Sequence, residues 1–164
     1  MSRKIDAVAV QSVLYGLYSS IHTLVRGRGG AVIRNAAPAM LDALEGFGAD
    51  FSNVTDIDEL STNLGKSLVD AGLCDGIEFN LEEVDGKQFI RTKVTNCAFW
   101  DLTVRLGKEG VPPFGCPYSA LTVALAQRNL GKRARPVDLD GTPAPCAIPG
   151  AGPGNTQILI ELFD

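Results

Sequence analysis

Residues 77–96 read IEFNLEEVDGKQFIRTKVTN, and this stretch decides the fold. Its first half alternates apolar and polar residues, a period of two that is typical of a β-strand with one buried face. The positions predicted to face the core are Ile77, Phe79 and Leu81, and those predicted to face outward are Glu78, Asn80 and Glu82. Asp85–Gly86 is a dipeptide that favours a two-residue hairpin turn. The stretch therefore predicts an antiparallel hairpin whose second strand covers Phe89–Thr95.

A helix and a second pair of strands are predicted after this hairpin. Pro117 suits the first position of a helix, because the N–H that proline lacks would have no partner there. That helix is predicted to end at about Leu130, before Gly131. The segments RARPVDLDG (133–141) and TQILIELF (156–163) are predicted to be strands. The loop between them, GTPAPCAIPGAGPGN, is too rich in proline for a central strand.

The first part of the chain is predicted to hold three helices, because apolar residues recur there at helical spacing. The first lies in KIDAVAVQSVLYGLYSSIHTLV (4–25), and the second in AVIRNAAPAMLDALEGFG (31–48), where Pro38 starts or kinks the helix. The third is predicted to be capped by Thr55, with Asp58 as its capping-box partner, and to close at Gly72. Their predicted buried stripes are Ile5, Val8, Val13, Leu17, Ile21, Leu24 and Val25; Ala36, Met40, Leu41 and Leu44; and Ile57, Leu60, Leu64, Leu68 and Val69.

This order of elements predicts the α+β class, because strands joined by hairpins do not require a doubly wound parallel sheet. We expect an antiparallel sheet of about four strands packed against helices, with a helical N-terminal half. A chain of 164 residues suits one domain over 1–164. Residues 1–73 would form its helical half, and residues 76–164 its half of sheet and helix.

Composition argues against several classes of protein. The net charge is −4, with 45% hydrophobic residues, so nucleic-acid binding through a basic face is not expected. No run of about eighteen apolar residues occurs, so we expect no membrane span, and we expect no secretory segment either. Four cysteines are too few for a disulfide scaffold. We therefore expect a cytoplasmic protein with reduced thiols.

The cysteines have no zinc-finger spacing, yet three of them lie at predicted ends of elements. Cys74 precedes the first strand, Cys97 ends the second strand and Cys116 opens the last helix, while Cys146 lies in the final loop. A thiolate at a helix N-terminus is stabilised by the dipole, which suits a metal ligand or a reactive thiol. Asp138 is a candidate oxygen ligand or a turn former. The other interpretation is that the thiols are buried packing groups.

Aromatic residues cluster in sequence around the same thiols and indicate a small-molecule pocket or an ordinary core. They are Phe99, Trp100, Phe114 and Tyr118. His22, the only histidine, is a surface residue or a polar group that faces this pocket. No phosphate-binding loop and no nucleophile or metalloprotease motif is present, so the sequence predicts no assembled catalytic site.

The segment CPYSALTVALAQRNLGKRARPVDLDGTPAPC (116–146), followed by an apolar strand, resembles the core of the 4-vinyl reductase domain family. That family includes aromatic-sensing domains and hydrocarbon-binding proteins, and it is structurally akin to TRAPP tethering subunits. The resemblance implies a zinc site in which Cys116 and Cys146 match two ligands. Asp138 falls near the position of a missing strand cysteine, for which Cys97 is a substitute. Ala120 and Ala124 stand where the family has a helix glycine.

Two classes of function follow as expectations. The first is a non-catalytic domain that binds or senses a hydrophobic, aromatic or tetrapyrrole ligand, with zinc in a structural role. The second is a dimeric assembly adaptor without a ligand, or an accessory factor in (bacterio)chlorophyll vinyl reduction. The first helix carries a second apolar face, made of Val10, Leu14, Leu17 and Tyr18. That face predicts a homodimer through the N-terminal helices.

Overall fold

The computed structural model describes residues 7–25, 29–110, 116–137 and 153–164. Within these residues the helices are α1 (Ala7–Val25), α2 (Gly29–Gly46), α3 (Ile57–Asp70), α4 (Trp100–Lys108) and α5 (Pro117–Asn129). The strands are β1 (Gly76–Val84), β2 (Lys87–Thr95), β3 (Arg133–Val137) and β4 (Thr156–Phe163). The strands form one antiparallel sheet, and the N-terminal half is helical, so the predicted α+β class is confirmed.

The sheet has the strand order β1-β2-β4-β3, so the last strand of the sequence lies between β2 and β3. The predicted turn joins β1 to β2, with Val84 opposite Lys87. Asp85 and Gly86 both have positive φ, 53° and 72°, as a two-residue turn of the primed type requires. The predicted pair of β3 and β4 is also present, in antiparallel register.

One face of the sheet forms the core, because alternate residues of the two central strands lie under the helices. The buried side chains of these strands include Ile90, Val94, Ile158, Ile160 and Leu162. Helix α3 packs against β1, and α5 packs against β3 and β4. Helix α5 is buried over most of its circumference, from Tyr118 to Val123 and again at Leu125 and Ala126. This explains why its apolar residues show no single stripe in the sequence.

Helix α3 begins one residue later than the sequence predicts. Asp56, not Thr55, is the N-cap, and its Oδ1 accepts the Glu59 N–H at 2.8 Å. The Glu59 carboxylate reaches back to Thr55, where it accepts the backbone N–H at 2.7 Å and the hydroxyl at 2.8 Å. The predicted pairing of Thr55 with Asp58 is therefore wrong. The longer glutamate side chain spans the distance to the preceding residue.

In β1 and α3, two residues predicted to be buried are exposed. Leu81 is 51% exposed because β1 is an edge strand and Leu81 lies toward its far end. Val69 is 39% exposed because it lies in the last turn of α3, about 100° around the helix from the buried Leu68. The rest of the α3 stripe packs as predicted, with Leu60, Leu64 and Leu68 in the core.

Helix α4 was not predicted, and it changes the role of α1. Leu102 and Leu106, one turn apart on α4, form a separate cluster with Tyr18 of α1. Leu14, Tyr15 and Ile21 pack against the same cluster. Of the predicted stripe of α1, Ile21 packs against this cluster, whereas Val13, Leu17 and Leu24 are exposed by 71%, 53% and 81%. The prediction is wrong at these three positions, because the opposite side of α1 packs against α4.

Candidate functional site

Three cysteines come together at the end of the sheet where the first hairpin begins and ends. Cys74 precedes β1, Cys97 follows β2, and Cys116 is the N-cap of α5. All three are buried, and each lies close enough to Tyr118 for its charge to influence the tyrosine hydroxyl. The structure therefore places Cys97 and Cys116, two of the predicted metal ligands, near each other and adds Cys74, which the sequence predicts at an element end but not as a ligand. That addition was available from the sequence, because the start of β1 lies opposite the end of β2 in a hairpin, with Gly76 facing Thr95.

Backbone contacts hold this thiol cluster, defined as Cys74, Cys97 and Cys116, against the final strand. The Cys97 N–H donates to the carbonyl of Gly154 at 2.7 Å, just before β4. Gly154 has a φ of +82°, and a Cβ there would lie 3.3 Å from the Asn96 backbone. Only glycine allows both this backbone conformation and this close approach without strain.

Tyr118 lies at the centre of the cluster and is fully buried. Its hydroxyl donates to the Leu73 carbonyl and lies within hydrogen-bonding range of the Cys97 thiol. The Phe99 ring meets the Tyr118 ring edge to face, with centroids 5.6 Å apart. Trp100 begins α4 and packs partly buried against the same core. Three of the predicted ligand-binding aromatics thus lie together, but as closely packed core side chains.

The surroundings of the thiols favour their neutral form. Burial raises the pKa of Cys74 to about 11. Burial is also the main cause that raises the pKa of Cys97 and that of Tyr118. Cys116 is the N-cap of α5, as predicted, but its side chain accepts no capping hydrogen bond. The environment of Cys74 and Cys97 therefore suits protonated packing thiols better than reactive thiolates.

A metal site is not complete within the described part of the chain. There, no group of three or more His, Cys, Asp or Glu side chains is arranged to hold a metal ion. Cys97 and Cys116 lie in the thiol cluster, but the other predicted ligands, Asp138 and Cys146, lie outside the described residues, as does Phe114. His22 follows Tyr18 by one turn of α1 and is half-buried on the side toward α4.

A groove that the sequence did not indicate lies between α2, α5 and the edge strand β3. Its volume is about 500 Å³. Small apolar side chains form its floor, including Ala120, Val123, Ala124 and Ala134. Arg34, Asn35, Pro38, Gln127, Arg135 and Pro136 complete the lining. We call this the α2–α5 groove, and it has the mixture of apolar surface and few polar groups that small-molecule sites use.

Pro38 shapes one wall of the groove. It lies inside α2, and it has no N–H to donate to the carbonyl of Arg34, one turn earlier. Its ring also displaces that carbonyl, which is why proline within a helix bends the axis. Both residues line the groove, so the turn of α2 that lacks this hydrogen bond borders the space that a ligand would occupy.

A second depression, of about 420 Å³, lies where α2 and α5 end, but its polar groups already bind one another. Arg128 Nη2 lies 2.7 Å from Glu45 Oε1, and the Asn129 amide donates to the Phe51 carbonyl at 2.7 Å. Asp50 accepts the Ser52 hydroxyl at 2.6 Å. These contacts join α2 to α5 and leave little for a ligand to satisfy.

Comparison with known proteins adds no identity to this geometry. Among the helices described, none has the length and apolar content needed to cross a membrane. A scan against protein-family models found no match to the chain. A search of curated proteins likewise found no match. The resemblance to the 4-vinyl reductase domains therefore stays a prediction from the residues that carry it.

Proposed function

We propose that this chain is a non-catalytic domain that binds an apolar small molecule in the α2–α5 groove. The observation that carries the proposal is the groove itself, a space of about 500 Å³ with an apolar floor and a few polar groups at its rim. Sites for small molecules commonly enclose about 300–1,000 Å³. Aromatic acids, hydrocarbons and tetrapyrroles are the ligand classes to be compared.

The thiol cluster has a supporting role in this proposal. Tyr118, Phe99 and the cysteines are packed too closely to admit a ligand between them, so we place the ligand on the neighbouring part of α5. Ala120 and Ala124 follow Tyr118 along that helix and face the groove. The buried cluster fixes the position of α5, which forms one wall of the groove. A wall that is already ordered reduces the conformational entropy lost on binding.

The test is a ligand panel with a variant that fills the groove. Ala124→Trp places a large side chain on the groove floor, whereas Ala43→Trp places the same side chain on an exposed position of α2. We expect aromatic or aliphatic ligands to raise the melting temperature of the unmodified protein and of Ala43→Trp, but not that of Ala124→Trp. A stabilisation of about 2.7 kcal/mol corresponds to a hundredfold excess of ligand over its dissociation constant. Equal responses in all three proteins contradict the proposed site.

A dimeric adaptor is the second candidate, and a different observation favours it. Helix α1 contains no Asp, Glu, Lys or Arg from Ala7 to Val25. Its exposed apolar residues, Val13, Leu17 and Leu24, fall on one side of the helix, because their spacing places them within about 40° of each other. On the same helix, a Cβ built on Gly16 would meet no described atom within 4 Å, which leaves room for a close neighbour. We propose that a second copy of the chain covers this α1 stripe.

We keep zinc as a separate proposal. Its ligands would be Cys97, Cys116, Cys146 and Asp138, and its role would be to join α5 to the final loop. Tetrahedral zinc with thiolate ligands is structural in most proteins, so this proposal adds stability and no reaction step.

A further inference from the structure

The rim of the α2–α5 groove carries a positive charge that has no described counter-ion. Arg34 is exposed and lines the groove. It is the only charged residue of α2 before Asp42. Within the described residues, no carboxylate lies among the side chains that line the groove. Arg34 thus lines a groove whose other described lining residues are small apolar side chains, two prolines, two amides and one arginine.

The neighbouring acidic side chains are bound to other cations. Glu45 is held by Arg128, and Asp42 lies 3.9 Å from the same arginine. Glu161 is held by Arg135, whose Nε lies 2.7 Å from Glu161 Oε2. Arg135 therefore contributes less net charge to the groove than Arg34 does. An anion entering the groove would find Arg34 available and would meet no free carboxylate among the described residues nearby.

The polar groups beside Arg34 suit a carboxylate. Asn35 and Gln127 also line the groove, and the side-chain amide of each can donate two hydrogen bonds. A guanidinium group matches the two oxygens of a carboxylate in a bidentate arrangement. The floor, meanwhile, offers only small apolar side chains at Ala120, Val123 and Ala124. The groove is thus polar and cationic at its rim and apolar at its floor.

From this arrangement, and resting on the proposed ligand-binding function, we infer that the ligand is an apolar carboxylic acid. Its carboxylate binds Arg34 at the rim, and its hydrocarbon or aromatic part lies on the α5 floor of the groove. A neutral ligand of the same shape would gain the floor contacts and lose the charge-assisted hydrogen bonds. A dicarboxylate would leave its second charge without a cation among the apolar floor residues, which disfavours it.

The experiment compares two probes that differ only in the acid group, 4-phenylbutanoate and 4-phenylbutan-1-ol, by calorimetry on the full chain. We expect the acid to bind about tenfold more tightly than the alcohol, because charge-assisted hydrogen bonds are about twice as strong as neutral ones. Arg34→Gln should remove this difference, because it should weaken the binding of the acid and leave the affinity for the alcohol unchanged. Arg105→Gln, an exposed arginine on α4, is the matched control and should change neither affinity. Amide shifts in NMR spectra should map both probes to α2, α5 and β3.

The outcomes distinguish binding in the groove from recognition of a carboxylate by Arg34. Equal affinities for acid and alcohol, unchanged in Arg34→Gln but abolished by Ala124→Trp, overturn the carboxylate and leave the binding groove in place. Binding of neither probe at millimolar concentration overturns the groove and the carboxylate together. Binding that maps to the α1–α4 side of the molecule also overturns both. Selective loss of the acid in Arg34→Gln supports the inference, because a purely structural effect of that substitution would weaken both probes.

Discussion

The carboxylate of Glu161 on β4 is held by Arg135 of the neighbouring strand β3, with Oε2 2.7 Å from Nε and 2.5 Å from Nη2. Lys87 of β2 lies on the other side, with Nζ 3.4 Å from Oε1. The glutamate side chain is only 8% exposed, although it lies on the face of the sheet away from α3 and α5. One acidic residue thus links the central strand to both of its neighbours.

This link predicts an acid-sensitive component of stability. The hydrogen bond from Arg135 is the main cause that lowers the pKa of Glu161 below its ordinary value of 4.5. Because the pKa of Glu161 is lower in the folded state than in the unfolded state, its ionised carboxylate stabilises the fold. This contribution to the free energy of unfolding is complete above pH 4.5 and is lost as the pH falls through the folded pKa. Glu161→Gln should therefore reduce the free energy of unfolding at neutral pH and flatten its decline in acid. Urea unfolding at a series of pH values measures both effects.

The control for this prediction is Glu83→Gln, a change at an exposed glutamate of β1. It should leave the pH dependence of unfolding as it is in the unmodified protein. Parallel acid declines in Glu161→Gln and the unmodified protein would show that the Arg135–Glu161 pair does not contribute to folding.

Pro38 predicts opposite effects on stability and on ligand binding. Pro38→Ala restores the N–H that can donate to the Arg34 carbonyl and straightens α2. We expect the free energy of unfolding to rise by about 2 kcal/mol, since interior proline costs about 3 kcal/mol in a helix and the more flexible unfolded chain offsets part of that gain. Straightening should also move Arg34 and weaken binding of 4-phenylbutanoate. Thermal unfolding and calorimetry on the same sample test both effects, and unchanged affinity would show that the bend does not shape the groove.

The α1 stripe predicts which substitutions disrupt the dimer without unfolding the chain. Leu17→Lys should yield monomers in sedimentation experiments while the melting temperature of the monomer remains high, because Leu17 is 53% exposed. Leu14 and Tyr18, first assigned to a dimer seam, instead pack toward α4 within the same chain. Tyr18→Ala should therefore cost about 3 kcal/mol of stability, as loss of a buried aromatic ring does. An unmodified protein that is monomeric at micromolar concentration contradicts the dimer.

Thiol reactivity tests the buried cluster. Cys74, Cys97 and Cys116 should react slowly with a thiol reagent under native conditions at mildly alkaline pH, because they are buried and the reagent attacks the thiolate. All four thiols should react quickly in denaturant. In a Cys74→Ala variant, the number of slowly reacting thiols should fall by one, and the number of fast-reacting thiols should stay the same. Fast native loss of three or more thiols would mean that the cluster opens readily.

Metal content tests the zinc proposal independently of thiol burial. Protein prepared without chelators should contain about one zinc ion per chain if Cys97, Cys116, Cys146 and Asp138 bind it. Cys116→Ser should then release the ion and lower the melting temperature. A packing thiol would accept the same substitution at a cost of about 1–3 kcal/mol without any change in metal content. Absence of stoichiometric metal from the unmodified protein would contradict the zinc proposal.

Local patterns in the sequence predicted the strands well and the placement of helices less well. The Asp85–Gly86 turn, the two hairpins and the proline start of α5 depend on neighbouring residues, so they could be read from short segments. The orientation of α1 could not be read in this way, because it depends on α4. That helix has only nine residues, so its apolar residues repeat over too short a stretch to give a clear helical pattern. Single-sequence patterns do not say which of two apolar faces finds a partner.

In the candidate site, too, features set by local sequence were predictable and features set by distant elements were not. Convergence of Cys97 and Cys116 follows from their positions at the ends of elements, and Cys74 joins them through hairpin register. The α2–α5 groove was not predictable, since it is a space between three elements distant in sequence. Its only local signal is Pro38, which marks an irregular turn but does not say what lies opposite.

The central position of β4 also determines the order in which the chain can fold during synthesis. Residues 156–163 are translated after the other described strands, yet they pair with both β2 and β3. Until then the β1–β2 hairpin has an open edge at β2, where another chain could pair. Pairing of β2 with β4 brings together residues far apart in sequence, which slows folding. The charges of Lys87, Arg91 and Lys93 along β2 disfavour such pairing until β4 emerges.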